Sequence, residues 1–174
     1  MIGVSKHLCG AATDLALLSV INSLNLDRLG GLMIALCCHH RCDWDLFVGK
    51  EFLQGKGFNP GEFKLMCGLT SWATCGSGKP RQRQDKQQNG NDQEEPKKED
   101  IDSEPVAKSA KHDFRYDRLN LPRERREDIG RKTKRLLDFA RVQFLKEKLK
   151  LKKAKLYYYC DPTISLENVV LLAH

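Results

Sequence analysis

The first apolar stretch of the chain, Ile2 to Leu8, has the length of a short strand and ends at Cys9-Gly10. Thr13 and Asp14 then open a helical pattern, with Asp14 in the place of a capping residue. Leu15, Leu18, Ile21 (with Val20) and Leu24 (with Ala11) recur near i, i+3, i+4 spacing on one face, and Asn25-Leu26-Asp27 closes the segment. After Gly30-Gly31, the continuous apolar run Leu32 to Cys38 predicts a strand buried on both faces, as in a parallel sheet flanked by helices. Strand, helix and strand make one βαβ unit with a right-handed crossover, so both strand ends reach one edge, where open α/β sheets place their ligands. Lys6-His7 and His39-His40 stand at those ends.

Asp43 to Gly55 and Glu62 to Thr74 read as two helical pieces separated by the turn Gly57 to Gly61, and they are expected to cover one face of the sheet. Ser77 to Asp113 holds only Ile101, Val106, Ala107 and Ala110 as apolar residues and no aromatic ring until Phe114, too little to offset the entropy of ordering it. From Pro122 to about Lys152 the chain is rich in helix formers. There Ile129, Leu136, Leu137, Ala140 and Phe144 share a face that leaves Arg131, Lys134, Arg135 and Arg141 mainly outside it. Leu156 to Cys160 and Val169 to Ala173 predict a terminal antiparallel strand pair. The expected organisation is an α/β core over residues 1–76, a disordered charged insertion over 77–113, and a basic helix with a strand pair over 114–174 belonging to the same domain.

Composition sharpens this picture in three ways. The net charge is +7, but Met1 to Gly76 is balanced and Arg115 to Lys155 carries 16 basic against 6 acidic residues. That concentration suits a surface that tracks phosphates, and equally a solvated helix face. No apolar run approaches the roughly 20 residues of a membrane helix, and the start lacks the pattern of a secretion signal, which points to an intracellular protein of the nucleus or the cytoplasm and no membrane partner. Seven cysteines, unevenly spread, read as reduced thiols, metal ligands or core filler rather than a disulfide framework.

Two blocks are specific. Ser5-Lys6-His7-Leu8-Cys9-Gly10-Ala11-Ala12-Thr13-Asp14-Leu15-Ala16-Leu17 and Ala35-Leu36-Cys37-Cys38-His39-His40-Arg41-Cys42-Asp43-Trp44, continued by Phe47 to Phe52, resemble the eukaryotic tRNA 2'-O-ribose methyltransferase family that modifies the fourth nucleotide of the acceptor stem. Thr70-Ser71-Trp72-Ala73, Gly130 to Arg141 and Asp161-Pro162 to Ala173 extend the resemblance to nearly everything but the insertion. It implies a Rossmann-like class I fold dependent on S-adenosylmethionine, of which this chain holds the carboxy-terminal half: a partial sheet with flanking helices and a terminal strand pair. The glycine-rich cofactor loop expected after a first strand is not found, since Gly55-Lys56-Gly57 and Gly76-Ser77-Gly78-Lys79 read as turns.

By the same resemblance, Lys6, His7, His39 and His40 are catalytic candidates, and Cys9, Gly10 and Asp14 border the cofactor. Arg41, Arg131, Lys132, Lys134, Arg135 and Arg141 would meet the tRNA acceptor stem through phosphates and 2'-hydroxyls. Cys37-Cys38-His39-His40-Arg41-Cys42 invites zinc, but neighbours on a strand point to opposite faces and a closed site would need Cys9, Cys67 or Cys75, so no metal is expected in this segment. Trp72 and Tyr157 to Tyr159 are expected in the core rather than stacked on bases. The open edge of the first strand predicts pairing with the missing amino-terminal half or self-association. The alternatives are a non-catalytic basic module that binds RNA or a partner, and a structural zinc module.

Overall fold

The computed structural model of the protein describes residues 2–23, 29–75, 120–148 and 153–174, with the side chain of residue 75 excepted. The predicted insertion, the close of the first helix at residues 24–27, and Gly76 to Lys79 lie outside the described residues. Met1–Lys79 and Pro122–His174 make one compact unit, and Pro80–Leu121 a second in which only 120–121 are described. All that follows concerns the first unit.

Four strands and five helices are described: β1 (Ile2–Ser5), α1 (Ala11–Ile21), β2 (Gly31–Leu36), a 3-10 turn at His39–Arg41, α2 (Lys50–Gly55), α3 (Pro60–Leu69), α4 (Trp72–Cys75), α5 (Arg123–Lys148), β3 (Ala154–Tyr158) and β4 (Val169–Ala173). The strands form one mixed sheet in the order β1-β2-β4-β3. β1 runs parallel to β2, with Ser5 opposite Ile34, which is the expected strand-helix-strand unit. β4 is antiparallel to both β2 and β3, with Val169 opposite Leu36 on one side and Tyr158 on the other. The terminal pair therefore forms, but the later strand inserts between β2 and β3. Its burial alternates, with Val169, Leu171 and Ala173 inward, as a strand with one covered face requires.

Two apolar clusters explain the packing. In the first, Leu17 of α1 and Val142, Phe144 and Leu145 of α5 lie against Leu32, Ile34 and Leu36 of β2 and Leu171 and Ala173 of β4. The intervening Met33 is exposed, so β2 is covered on one face among the described residues, not on both as its apolar run predicts. The face predicted for α1 holds in part: Leu18, Val20 and Ile21 pack against this cluster, but Leu15 is exposed, and Thr13, Asp14 and Leu17 are the fully buried positions. In the second cluster, Phe47, Leu53, Phe63, Met66 and Cys67 pack on Leu137 and Ala140 of α5. The helices after β2 thus cover α5 rather than the sheet. Asn59 and Glu62 start α3 with a capping box, each side chain accepting from the other's backbone amide.

Helix α5 is buried on two sides, which a single apolar stripe does not provide for. Gly130 sits against the backbone of Trp72 and Ala73, where a Cβ would lie 2.9 Å from the Trp72 carbonyl carbon. Among the described residues, no helix is long and apolar enough to cross a membrane.

Candidate functional site

The parallel strands β1 and β2 end on one edge, and two tight loops follow them. After Ser5, His7 has φ of 63° and Gly10 has φ of 56°, so the chain turns twice through the left-handed region before α1. At Gly10 a side chain is excluded: a Cβ would stand 2.5 Å from the Arg41 carbonyl oxygen and 2.6 Å from Arg41 Cβ. The Gly10 amide donates to the Cys37 carbonyl at 3.4 Å, tying the two loops together. β2 stops at Leu36, Cys38 takes φ of 50°, and the 3-10 turn His39–Arg41 follows.

Beneath this edge lies a chain of buried charges. Arg141 is 1% exposed, and its Nε and Nη2 donate to the two oxygens of Asp14 at 3.0 and 2.7 Å. Its Nη2 also reaches the Cys42 sulfur at 3.1 Å and the Gly10 carbonyl at 3.4 Å, and the ring of Phe47 lies 5.2 Å away. Burial works against the guanidinium's charge, but the Asp14 carboxylate outweighs it and keeps Arg141 cationic. Asp14 also accepts from the Val48 amide at 3.4 Å.

The chain continues through Asp138, which is fully buried and accepts from His39 Nε2 at 2.5 Å. Arg135 and Arg141 stand 3.3 and 3.5 Å from its oxygens. Burial alone would raise the Asp138 carboxyl, yet the attraction of His39, Arg141 and Arg135 holds it below the usual carboxylate range. With that anion as acceptor, His39 Nε2 is the donor of this hydrogen bond. Nδ1 is buried and without a hydrogen-bond partner among the described residues.

His39 lines a cavity of about 340 Å³ together with Arg131, Lys134, Arg135, Tyr158 and Asn168. Tyr158 is 69% exposed at its rim, with Arg135 stacked 4.8 Å from the ring centroid. Lys134 is buried in an ion pair with Glu167. Cavities of this size and mixed lining are typical of small-ligand sites.

The predicted residues fall into separate groups. Lys6, His7, His40 and Arg41 are exposed at the edge, and partial desolvation with the neighbouring Arg41 charge pushes the His40 imidazolium below its ordinary range. Arg131 and Lys132 are exposed on α5, paired along the helix with Glu127 and Asp128. Arg141 and Lys134 are corrected: both are inside, their charges matched by Asp14 and Glu167, and neither offers a free phosphate contact. Asp14 is corrected as a cap, because the cap of α1 is Gly10, with no side-chain hydrogen bond, and Asp14 points inward to Arg141. Trp72 is core as predicted, whereas Tyr157 to Tyr159 are exposed, since β3 is an edge strand.

Residues expected at a cofactor do not build a cradle for S-adenosylmethionine among themselves. Gly10 is filled by Arg41 backbone and Asp14 is saturated by Arg141, while Cys9 belongs to a thiol cluster with Cys37 and Cys38. Strand alternation, the ground for expecting no metal here, is corrected as well. Cys38 lies beyond the strand, so alternation does not apply and the three sulfurs converge.

Asp138 carries much of the site and is not marked out by the sequence pattern, and Tyr158, expected in the core, stands at the cavity rim. A signal existed for the first: Asp138 is the one acidic residue between Ile129 and Lys146, beside the buried Leu137.

Comparisons with known proteins agree with these blocks. The sequence model of the family described as methyltransferase TRM13 matches residues 1–174. The chain is 35% identical over 178 residues to the tRNA:m(4)X modification enzyme TRM13 of Scheffersomyces stipitis, covering 98% of this chain and 36% of that protein. It is 31% identical over 220 residues to the human TRM13 homolog, covering 99% and 44%, and 37% identical over 188 residues to the Yarrowia lipolytica enzyme, covering 98% and 34%. The chain thus spans less than half the length of these relatives. No solved structure matches. With the whole chain matched by the family's sequence model, this protein belongs to the TRM13 methyltransferase family.

Proposed function

We propose that these residues form the methyl-acceptor side of a tRNA 2'-O-methyltransferase that uses S-adenosylmethionine and acts on the fourth nucleotide of the acceptor stem, with His39 as the proton acceptor and Asp138 as the residue that positions it. The observation that carries this reading is the buried pair itself: Nε2 held by Asp138, and Nδ1 unpartnered in a residue that lines the cavity. A ribose 2'-hydroxyl becomes a competent nucleophile as its proton leaves, and a neutral imidazole nitrogen in hydrogen-bond reach serves as that base. Asp138 keeps the proton on the far nitrogen beforehand and stabilises the imidazolium afterwards, a division of labour familiar from other histidine-carboxylate pairs. Arg131 and Arg135 supply positive charge beside the cavity, and Tyr158 a ring face for a base.

S-adenosylmethionine would supply the electrophilic methyl group, and its cradle is expected from sequence outside these residues. The four-stranded sheet is then one half of a Rossmann-like class I fold, with residues 1–76 and 114–174 as one domain around the insertion 77–113. β1 ends the strand order and pairs only with β2 among the described residues, which supports a further strand on its outer edge, from the rest of the enzyme or from a second copy. The substrate makes the setting intracellular.

The exposed Arg131 and Lys132 of α5 also fit a second reading, a basic RNA-binding or partner-binding module without its own catalysis. One experiment separates the two. In cells whose only copy carries His39→Gln at normal protein level, the 2'-O-methyl group should disappear, read as renewed alkaline cleavage after the fourth nucleotide of the acceptor stem. Full protection in that strain would sink the assignment of His39.

A further inference from the structure

We propose that Cys9, Cys37 and Cys38 form a zinc site of three thiolates with a fourth, open position, at the edge where β1 and β2 end. The three sulfurs lie within 4.8 Å of one another, and Cys9 Sγ is 3.7 Å from Cys37 Sγ. Zinc-sulfur bonds of about 2.3 Å at a tetrahedral angle put two sulfurs about 3.8 Å apart, so this edge of the triangle already has the length a bound ion would impose. The remaining sulfur, that of Cys38, lies within 4.8 Å of both.

The backbone brings about this convergence at a cost. Consecutive strand residues would diverge, but β2 stops at Leu36 and Cys38 adopts φ of 50° and ψ of 42°, a left-handed conformation that a residue with a side chain adopts only at a cost. Across from it, the loop bearing Cys9 is fixed by Gly10, whose amide binds the Cys37 carbonyl and whose α-carbon admits no substituent against Arg41. All three cysteines are half-buried, open to an entering ion, whereas Cys67 is enclosed.

Three thiols this close together are a set that a divalent cation holds as thiolates, releasing protons as it binds. The donor set narrows the metal: sulfur ligands suit zinc and other thiophilic ions and exclude magnesium or calcium, which take oxygen ligands. Among the described residues, no histidine or carboxylate joins the three sulfurs, which leaves the fourth position to water or to a group from outside this chain. Such an ion would clasp the loop carrying Lys6 and His7 to the loop carrying His39 and His40. It stands on side-chain geometry independent of the role given to His39.

The test is metal content and spectroscopy on the chain purified under reducing conditions and reconstituted with zinc chloride or cobalt chloride. Expected are one zinc per chain and a thiolate-to-cobalt charge-transfer band that zinc abolishes. Both should be lost in Cys9→Ser/Cys37→Ser/Cys38→Ser and kept in Cys42→Ser, Cys67→Ser and Cys160→Ser. If the triple variant does not fold, the cobalt band of the unaltered chain and its loss on zinc addition still decide. A reduced chain without that band, or stoichiometric zinc that survives the triple substitution, overturns the proposal. So does a Cys9–Cys37 disulfide formed with hydrogen peroxide in a chain that takes up no metal.

Discussion

Replacing Arg141 by methionine keeps much of the side chain's volume and removes a guanidinium that donates to Asp14 at 3.0 and 2.7 Å, with further contacts to Cys42 and Gly10. Asp14 would then sit fully buried with only the Val48 amide, 3.4 Å away, to answer its charge. Removing one partner of a buried ion pair costs about 3–5 kcal/mol, whereas replacing both by apolar groups of similar volume is often neutral or better. The expected loss for Arg141→Met is therefore about 3–5 kcal/mol, a large share of the roughly 5–15 kcal/mol that holds a domain together. The double variant Asp14→Leu/Arg141→Met should lose less than the sum of its two singles. Urea unfolding followed through Trp44 and Trp72 fluorescence measures all four proteins, provided the slopes agree. An Arg141→Met loss below about 1 kcal/mol, or two single losses that simply add in the double, would refute the account of this pair.

Two further outcomes are expected. Because the Asp138 carboxyl is held below its ordinary range in the folded chain, its contribution to stability is present above the unfolded value of about 3.9 and disappears as pH falls through the lower folded value. Asp138→Asn should flatten the acid limb of stability against pH, and an unchanged limb in urea titrations would count against the pairing. On α5, Arg131→Glu/Lys132→Glu should weaken tRNA binding and reduce the slope of log K against log salt by about 0.7–0.9 for each phosphate that is no longer neutralised. Filter binding over a range of salt concentrations measures this, and a slope equal to that of the unaltered chain would remove α5 from the interface.

Periodicity and turn residues were enough to find β1, α1, β2, α5 and the antiparallel pair, because each is bounded by glycine, proline or a change of charge. Which faces they bury was less legible. Leu15 fits an apolar spacing on α1 and yet faces solvent, while Asp14 goes inward because Arg141 arrives from 127 residues away to match it. No local pattern carries that information. The same holds for α5, whose basic composition reads as surface, although Lys134 and Arg141 are neutralised by partners on other elements. At the edge, His39 was visible from its block, but its partner Asp138 lies 99 residues further on, and its role depends on the packing of α5 under the sheet. The convergence of Cys37 with Cys38 depends on one backbone angle, which residue type alone does not announce.

The position of β4 has a bearing on biosynthesis. Val169–Ala173 is translated after the other three described strands and yet is the common neighbour of two of them. Until it clears the ribosome, β2 and β3 have nothing to join them, and assembly of the sheet awaits the end of this stretch of message. A premature stop before Val169 would therefore not trim an appendage. It would part the two halves of the sheet, expose fresh hydrogen-bonding edges on both, and hand the product to chaperones or proteases.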